Sequence, residues 1–161
     1  MKIVRSFPKT VPPGRAYVQD AAERFVMDNY DYSGLAEFAA GEDVLLLEWD
    51  IAVSRHDLSM FTARAHLAGD WPLVAPYTLD RPGSYPFWRF LDDGTTLRRI
   101  RDGEPDCDLF GLGLVYLPNW VIAGFPKGVH MSDGTLSRWL REQPEWRPIP
   151  IDWATRIVHL H

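Results

Sequence analysis

The sequence is poor in cysteine and carries no excess of positive charge, so it lacks the features typical of disulfide-stabilised, zinc-binding and non-specific nucleic-acid-binding proteins. Its 161 residues include one cysteine, which excludes an intramolecular disulfide and a zinc site built from several cysteines. The formal net charge is −5, and this acidic balance argues against a large non-specific nucleic-acid footprint, while a local basic groove stays compatible with it. The sequence contains no internal repeat and no low-complexity segment.

Long apolar runs are also missing. The most apolar stretch, residues 109–125, is too short to cross a bilayer and is interrupted by Pro118, Asn119 and three glycines. Residues 1–8 show no signal-peptide pattern and lead directly into a short strand pattern. We therefore expect a cytoplasmic protein that has no membrane partner.

The composition is that of an ordinary globular protein. Apolar residues make up 46% of the chain and charged residues 24%, which excludes a disordered or collagen-like chain. A chain of this length can bury a core of its own, and no linker pattern divides it. We expect one α/β domain over residues 1–161.

One stretch organises the rest of the chain. The four apolar residues 44–47 predict a strand that is buried on both faces, as in the middle of an α/β sheet. Glu48 and Asp50 follow, and strand alternation directs both carboxylates to the same side. Ligands of open α/β sheets bind at the carboxyl ends of strands, and carboxylate oxygens suit a hard cation. The alternative is a strand end with two solvated acids.

The elements before and after this strand are predicted from their periodicity. Residues 2–7 predict a strand, and residues 17–27 have helical spacing. Ser54 is a good N-cap for a further helix. Residues 72–79 predict a second strand. Arg5, in the strand predicted over residues 2–7, either contacts a phosphate or is a solvated charge.

The second half of the chain predicts a hairpin and a glycine-containing strand. Residues 86–90 and 95–100 form the hairpin across an Asp-Asp-Gly turn. Residues 107–118 form the strand, in which Gly111 and Gly113 indicate a bulge or the close approach of another group to the backbone. They are not a dinucleotide fingerprint, because no third glycine and no helix follow.

Three polar residues near the C-terminus complete the candidate site. Asp133 precedes a helical pattern, and its structural role there is that of an N-cap. His159 and His161 share one face of a predicted terminal strand. Two imidazoles on one face can bind a metal; the alternative is exposure to solvent.

The order of these segments resembles a small A-type glycosyltransferase with the nucleotide-diphosphosugar transferase fold. The similarity lies in residues 47–53 (LEWDIAV), 74–77 (VAPY), 107–111 (CDLFG) and 151–153 (IDW), which look like those of short glycosyltransferase-like proteins from actinobacteria and their phages. The resemblance implies a minimal, Rossmann-like version of this fold, with a mixed sheet flanked by helices over residues 1–161.

The resemblance also implies a chemistry, namely metal-dependent and inverting transfer of a sugar from a nucleotide-sugar donor to a hydroxyl. Asp50 would bind Mn²⁺ or Mg²⁺, Glu48 would contact metal-bound water or ribose, and His159 or His161 would complete the protein ligands. The metal would offset charge on the leaving diphosphate. Asp133 would take the proton of the acceptor hydroxyl.

Two further features follow from the same resemblance. Gly111 and Gly113 would let the sugar or the acceptor approach the backbone, and Trp88, Trp139 or Trp153 would stack on either. The acceptor could be a glycan, a small molecule or a hydroxymethylated DNA base.

Two other functions fit the same residues. The first is a non-catalytic module that binds a nucleotide, a glycan, a protein or a nucleic acid on this fold. In that case the arginines of the hairpin region would line a DNA groove, the alternative being a solvated hairpin face; they are Arg89, Arg98, Arg99 and Arg101. The second is a metal-dependent hydrolase, which the lack of a second metal motif disfavours.

Overall fold

The computed structural model describes residues 1–18, 20, 22–78 and 83–160. Four helices are interspersed among the strands of the described residues. In chain order they are β1 (Lys2–Pro8), β2 (Glu23–Met27), α1 (Leu35–Ala39), β3 (Val44–Glu48), β4 (Ile51–Val53), α2 (Arg55–Ala68), β5 (Leu73–Val74), β6 (Phe87–Phe90), β7 (Leu97–Arg99), β8 (Asp106–Cys107), β9 (Leu109–Phe110), β10 (Leu114–Leu117), α3 (Asn119–Gly124), α4 (Asp133–Arg141), β11 (Ile149–Pro150) and β12 (Ile157–His159).

A mixed five-stranded sheet forms the centre, with the strand order β2-β1-β3-β10-β5. Strand β1 pairs in parallel with β2 and β3, whereas β10 runs antiparallel to β3 and β5. The carboxyl end of β3 therefore lies at the same edge of the sheet as the amino end of β10. The expected α/β class, a mixed sheet flanked by helices, is confirmed.

Strand β3 is buried on both faces, as its four apolar residues predict. Val44 and Leu46 pack into a core that also contains residues of α1, α3 and α4. Leu45 and Leu47 point to the opposite face and pack against Phe61 of α2. Since side chains alternate along a strand, a continuous apolar run is what a strand between two cores requires.

Of the two predicted N-cap residues, Ser54 is confirmed and Asp133 is wrong. The expected N-cap of α2 is confirmed, since the hydroxyl of Ser54 accepts a hydrogen bond from the Asp57 N–H at 3.0 Å. In α4 the cap is Ser132 and not Asp133, because Ser132 and Thr135 form a reciprocal capping box. Asp133 is the first residue of the helix, and its carboxylate is exposed.

The helix predicted over residues 17–27 is wrong. Residues Glu23–Met27 form β2, which pairs with β1 from Val4 opposite Glu23 to Pro8 opposite Met27. Phe25 and Met27 are buried and Val26 is exposed. This is strand alternation, and the backbone pairing available beside β1 outweighs the helical spacing of a few apolar residues. Gln19 and Ala21 lie outside the described residues.

The predicted strand over residues 107–118 is divided into three. Strand β8 pairs with β11, β9 pairs with β6, and β10 joins the central sheet. The strand predicted over residues 72–79 is reduced to β5, and Leu79 is outside the described residues. The hairpin of β6 and β7 is confirmed, with Trp88 opposite Arg99 and Phe90 opposite Leu97.

A small antiparallel pair lies beside the end of β3. Strand β12 pairs with β4, and His159 stands opposite Ile51. The C-terminal segment is thereby held next to the loop that follows β3. Among the helices that the structure describes, none has the length and apolar character needed to cross a membrane.

Candidate functional site

A carboxylate and an imidazole that are 109 positions apart in the chain meet after β3. The Nε2 atom of His159 lies 3.0 Å from Oδ2 of Asp50. The contact follows from the pairing of β4 with β12, which sets His159 beside the residue that precedes β4. The structure thus brings together two of the residues predicted to bind a metal, and the third, His161, lies outside the described residues.

Glu48 occupies the other position of the acidic pair and is largely buried. The hydroxyl of Tyr32 donates a hydrogen bond to Oε1 of Glu48 at 3.2 Å. Burial, together with the negative charges of Asp50 and Asp133, raises the pKa of Glu48 to about 7. Three carboxylates are therefore close enough to influence one another electrostatically at this edge of the sheet.

Asp133 and Glu48 face a common cavity of about 210 Å³. The exposed carboxylate of Asp133 enters it from the first turn of α4. Tyr30, Tyr32, Leu112 and Ser132 complete its lining. A substrate in this cavity would contact Glu48 and Asp133 at the same time.

Arg5 is buried in the protein rather than directed at a ligand. Its guanidinium group, 1% exposed, donates hydrogen bonds to Asp20 and to two backbone carbonyls, those of Glu48 at 2.6 Å and of Ile51 at 2.8 Å. The predicted contact with a donor phosphate does not match this arrangement. Arg5 instead binds the backbone carbonyls at both ends of the turn that contains Asp50. It therefore stabilises the position of Asp50 without facing a ligand.

Gly111 and Gly113 make room for an aromatic ring. A Cβ atom on Gly111 would lie 2.7 Å from Oη of Tyr77, and one on Gly113 would overlap the Tyr77 ring. The predicted close approach to the backbone is therefore that of Tyr77. The ring of Tyr77 in turn contacts His159, with 5.6 Å between centroids. A direct role of the two glycines in ligand binding stays a prediction.

Tyr77 stays protonated over the physiological pH range. Burial and the charges of Glu48, Asp133 and Asp50 raise the pKa of its hydroxyl well above the ordinary value. The neutral ring of Tyr77 lies against the two glycines and contacts the imidazole of His159.

The residues fit a divalent cation in part. Oδ2 of Asp50 faces His159, while Oδ1 is buried and has no hydrogen-bond partner among the described residues. In the part of the chain that the structure describes, no group of three or more His, Cys, Asp or Glu side chains is arranged to hold a metal. Mg²⁺ commonly takes one or two carboxylates and completes its shell with substrate phosphates and water. Asp50 suits that mode of binding, whereas an imidazole ligand such as His159 is more typical of transition metals. The two residues do not form a closed protein cage.

Two tyrosines of the candidate site were not identified from the sequence. Nothing in the sequence indicated a role for Tyr32, and Tyr77 was placed only in the strand predicted over residues 72–79. The close approach that Gly111 and Gly113 indicate was a usable signal for Tyr77, although it does not say which residue approaches. Nothing in the local sequence points from Tyr32 to Glu48.

The predicted stacking tryptophans have different environments. Trp139 packs against Phe125 and Trp120. Trp153 packs against Tyr85. Both therefore contribute to packing, whereas Trp88 lines a cavity beside Asp133.

Three arginines of the hairpin region, Arg89, Arg98 and Arg99, have acidic or aromatic partners. Arg98 binds Glu104 through two hydrogen bonds of 2.8 and 2.9 Å, and Arg89 pairs with Asp106. The guanidinium of Arg99 lies over the ring of Trp88. These contacts argue against a continuous basic groove for DNA.

Comparison with known proteins identifies the fold. No family model and no curated protein matches the sequence. The structure is similar to the crystal structure of A197 from STIV, with a TM-score of 0.64, 12% identity, and coverage of 99% of this chain and 85% of that one.

Two bacterial transferases are also similar. One is a protein assigned as a glucose-1-phosphate thymidylyltransferase from Bacillus anthracis, in complex with a sucrose (TM-score 0.50, 11% identity, 84% of this chain and 58% of that one). The other is UTP-bound UGPase from Acinetobacter baumannii (TM-score 0.50, 11% identity, 87% and 56%). This chain has a nucleotide-sugar transferase-like fold. It spans somewhat more than half the length of these two transferases, and at such identities the similarity shows the fold alone.

Proposed function

We propose that this protein is a metal-dependent glycosyltransferase that moves a sugar, with inversion, from a nucleotide-sugar donor to a hydroxyl acceptor. The observation that carries the proposal is the convergence of Glu48, Asp50, Asp133 and His159 at the carboxyl end of β3. Ligands of open α/β sheets bind at this edge. The similarity to transferases of nucleotide sugars supports the donor class.

Asp50 and His159 are the proposed protein ligands of Mn²⁺ or Mg²⁺. The Oδ1 atom of Asp50 supports this role, because it is buried and has no hydrogen-bond partner among the described residues. A buried carboxylate oxygen without a partner is costly unless a ligand satisfies it. When bound, the cation would offset the negative charge that develops on the leaving diphosphate. Arg5 and Tyr77 hold the two ligands in place from outside the cavity.

Asp133 is the proposed general base. It is exposed at the mouth of the cavity that Glu48 also lines, so an acceptor hydroxyl can come within hydrogen-bond reach of its carboxylate. Glu48, held by Tyr32, would accept a hydrogen bond from a donor hydroxyl. A preorganised carboxylate of this kind orients the sugar before the reaction.

Nucleotidyl transfer is the second candidate, because one bacterial neighbour is named as a thymidylyltransferase and the other, UGPase, is bound to UTP. The products separate the two reactions. Glycosyl transfer releases a nucleoside diphosphate from a nucleotide sugar, whereas nucleotidyl transfer consumes a nucleoside triphosphate and a sugar phosphate and releases pyrophosphate.

The first test is a thermal-melt screen with UDP-, GDP-, TDP- and CDP-sugars, with and without Mn²⁺. A ligand that binds the native state raises the melting temperature by mass action. We expect a metal-dependent rise with one donor, its loss in Asp50→Asn, and its retention in Asp92→Asn, an exposed acid of the hairpin turn. Full transfer activity of Asp50→Asn would overturn the assignment.

The binding-module alternative has its own outcome in the same test. It predicts a rise in melting temperature with a nucleotide or a glycan while no donor is hydrolysed or transferred. Product analysis by mass spectrometry therefore accompanies the melts.

A further inference from the structure

A second cavity, of about 230 Å³, also has Asp133 in its lining. The remaining lining residues come from four elements: Trp88 of β6, Leu97 of β7, Leu109 and Phe110 of β9, and Gly134 of α4. Asp133 is therefore shared by two cavities, one of which contains Glu48.

The two cavities differ in chemistry. The one with Glu48 presents tyrosine hydroxyls and carboxylates, whereas the second is apolar except for Asp133 among the described residues that line it. Leu109 and Phe110 are buried and form its floor. Apolar walls favour an apolar ligand, because contact with the walls removes both surfaces from water.

No lysine or arginine is among the described residues that line the second cavity. Of the arginines in the hairpin beside it, Arg98 is held by Glu104 at 2.8 Å, whereas Arg99 is exposed and lies over the ring of Trp88. A phosphorylated acceptor or a nucleic acid needs cationic partners. The lining of the cavity itself therefore favours an uncharged acceptor.

We propose that this apolar cavity is the acceptor subsite and that it takes a hydroxyl compound with an aromatic or aliphatic body. The inference rests on the proposed function and specifies its substrate class. The acceptor oxygen forms a bond to the anomeric carbon as the bond from that carbon to the diphosphate oxygen breaks. The hydroxyl proton passes to the carboxylate of Asp133, and the electron pair of the broken bond leaves with the nucleoside diphosphate.

Gly134 leaves the cavity open at the first turn of α4. A Cβ atom built on this glycine would meet no atom within 4 Å. A glycine in a helix costs about 0.5–1 kcal/mol relative to alanine, so a larger residue here would fit the backbone better. A side chain at this position would, however, narrow the subsite.

The test of acceptor class uses the donor found in the melt screen, Mn²⁺ and the wild-type protein. Benzyl alcohol is compared with glycerol, free glucose and DNA containing 5-hydroxymethylcytosine, and the transferred product is measured by mass spectrometry. We expect kcat/KM for benzyl alcohol to be at least about tenfold higher than for the polar acceptors. Equal or better use of glycerol, glucose or DNA would overturn the inference while leaving the proposed function in place.

Two leucines of the hairpin region provide a matched pair of variants. Leu97, 40% exposed, lines the cavity, and Leu91, 42% exposed, does not contribute to its lining. We expect Leu97→Gln to raise KM for benzyl alcohol about tenfold and Leu91→Gln to leave it unchanged. Gly134→Leu, which fills space without removing a contact, should also raise KM. Identical kinetics of Leu97→Gln and Leu91→Gln would contradict the assignment.

A binding measurement separates the two possible failures. If no nucleotide sugar binds and no transfer occurs, the proposed function fails. Saturation-transfer NMR with benzyl alcohol then tests the cavity directly: binding to the wild type that weakens in Leu97→Gln supports an apolar ligand, and absence of binding to the wild type refutes it.

Discussion

Charged side chains cluster at the carboxyl end of β3, whereas tryptophan side chains cluster at the opposite end of the same sheet. Trp71 precedes β5 and Trp120 follows β10, with their rings 5.7 Å apart. The guanidinium of Arg147 lies 5.3 Å from the centre of the Trp71 ring. A cavity of about 370 Å³ beside them is larger than either cavity at Asp133.

The proposed site therefore does not lie at the larger cavity. Trp71 is 4% exposed, and its ring is contacted by Trp120, Trp146 and Arg147, so the tryptophan end is a packing feature. The β3 end holds like charges close together, which costs stability and is kept where a ligand or a reaction needs it. Variants at the two ends should therefore separate stability from activity.

The largest effect is expected at the tryptophan end. Trp71→Ala removes a buried ring from the larger core, and such truncations cost about 3–5 kcal/mol of unfolding free energy. Urea denaturation followed by circular dichroism measures this loss, and turnover per folded molecule should not change. A variant that is as stable as the wild type would show that the tryptophan cluster does not support the core.

At the carboxyl end of β3 we expect a substitution to lower activity and not stability. Asp50→Asn should lower kcat by more than about 100-fold, because metal-site changes even beyond the ligands cost 10–100-fold. Its unfolding free energy should stay equal or rise, since a charge next to Glu48 is removed. Enzyme assays and urea denaturation on the same preparation, with Asp92→Asn as the control, measure both. Parallel loss of stability and activity would make Asp50 a structural residue.

A third prediction concerns the link between the glycines and the site. Gly113→Ala places a methyl group into the ring of Tyr77, and overpacking of this kind costs about 1–3 kcal/mol. The displaced ring also contacts His159, so metal-dependent donor binding should weaken in the thermal-melt assay. Gly134→Ala is the matched control, because its methyl group meets open space and should stabilise the protein slightly.

The smallest effect is expected from the ion pairs of the hairpin region. Hydrogen bonds from Arg98 lower the pKa of Glu104 to about 2. Burial raises this pKa, but by less than the hydrogen bonds lower it. A carboxyl group with a depressed pKa stabilises the fold above its unfolded pKa near 4.5, and this contribution is lost as the pH falls from there toward 2. Being near the surface, the pair contributes less than about 1 kcal/mol.

Glu104→Gln tests this prediction. The variant should be slightly less stable than the wild type at pH 7, and the difference should shrink as the pH falls below 4. Melting temperatures at a series of pH values measure it. A difference that persists unchanged at pH 2.5 would assign the effect to packing and not to charge.

Several elements could be read from the sequence because short-range physics decides them. Residues 44–47 are apolar without interruption, which suits a strand between two cores. Ser54 caps a helix with its own side chain, and the Asp-Asp-Gly turn closes a hairpin. The acids after β3 were identified by the same local logic, since their place at a strand end is a property of the neighbouring sequence.

Other features could not be predicted from the sequence, because they depend on residues that are distant in the chain. Residues 23–27 became a strand through pairing with β1, against their helical spacing. The guanidinium of Arg5 was directed inward by Asp20 and by carbonyls more than forty residues away. The group that approaches Gly113 was identified only when the fold placed Tyr77 there.

The sequence by itself determined the fold class, the buried central strand and the acidic pair that follows it, because alternation, capping and turn formation act over a few residues. Only the tertiary structure decided that His159 meets Asp50, that Asp133 faces Glu48, and that Asp133 borders an apolar cavity as well. The first of these contacts joins residues 109 positions apart, and all three depend on strand pairing and core packing across the whole chain.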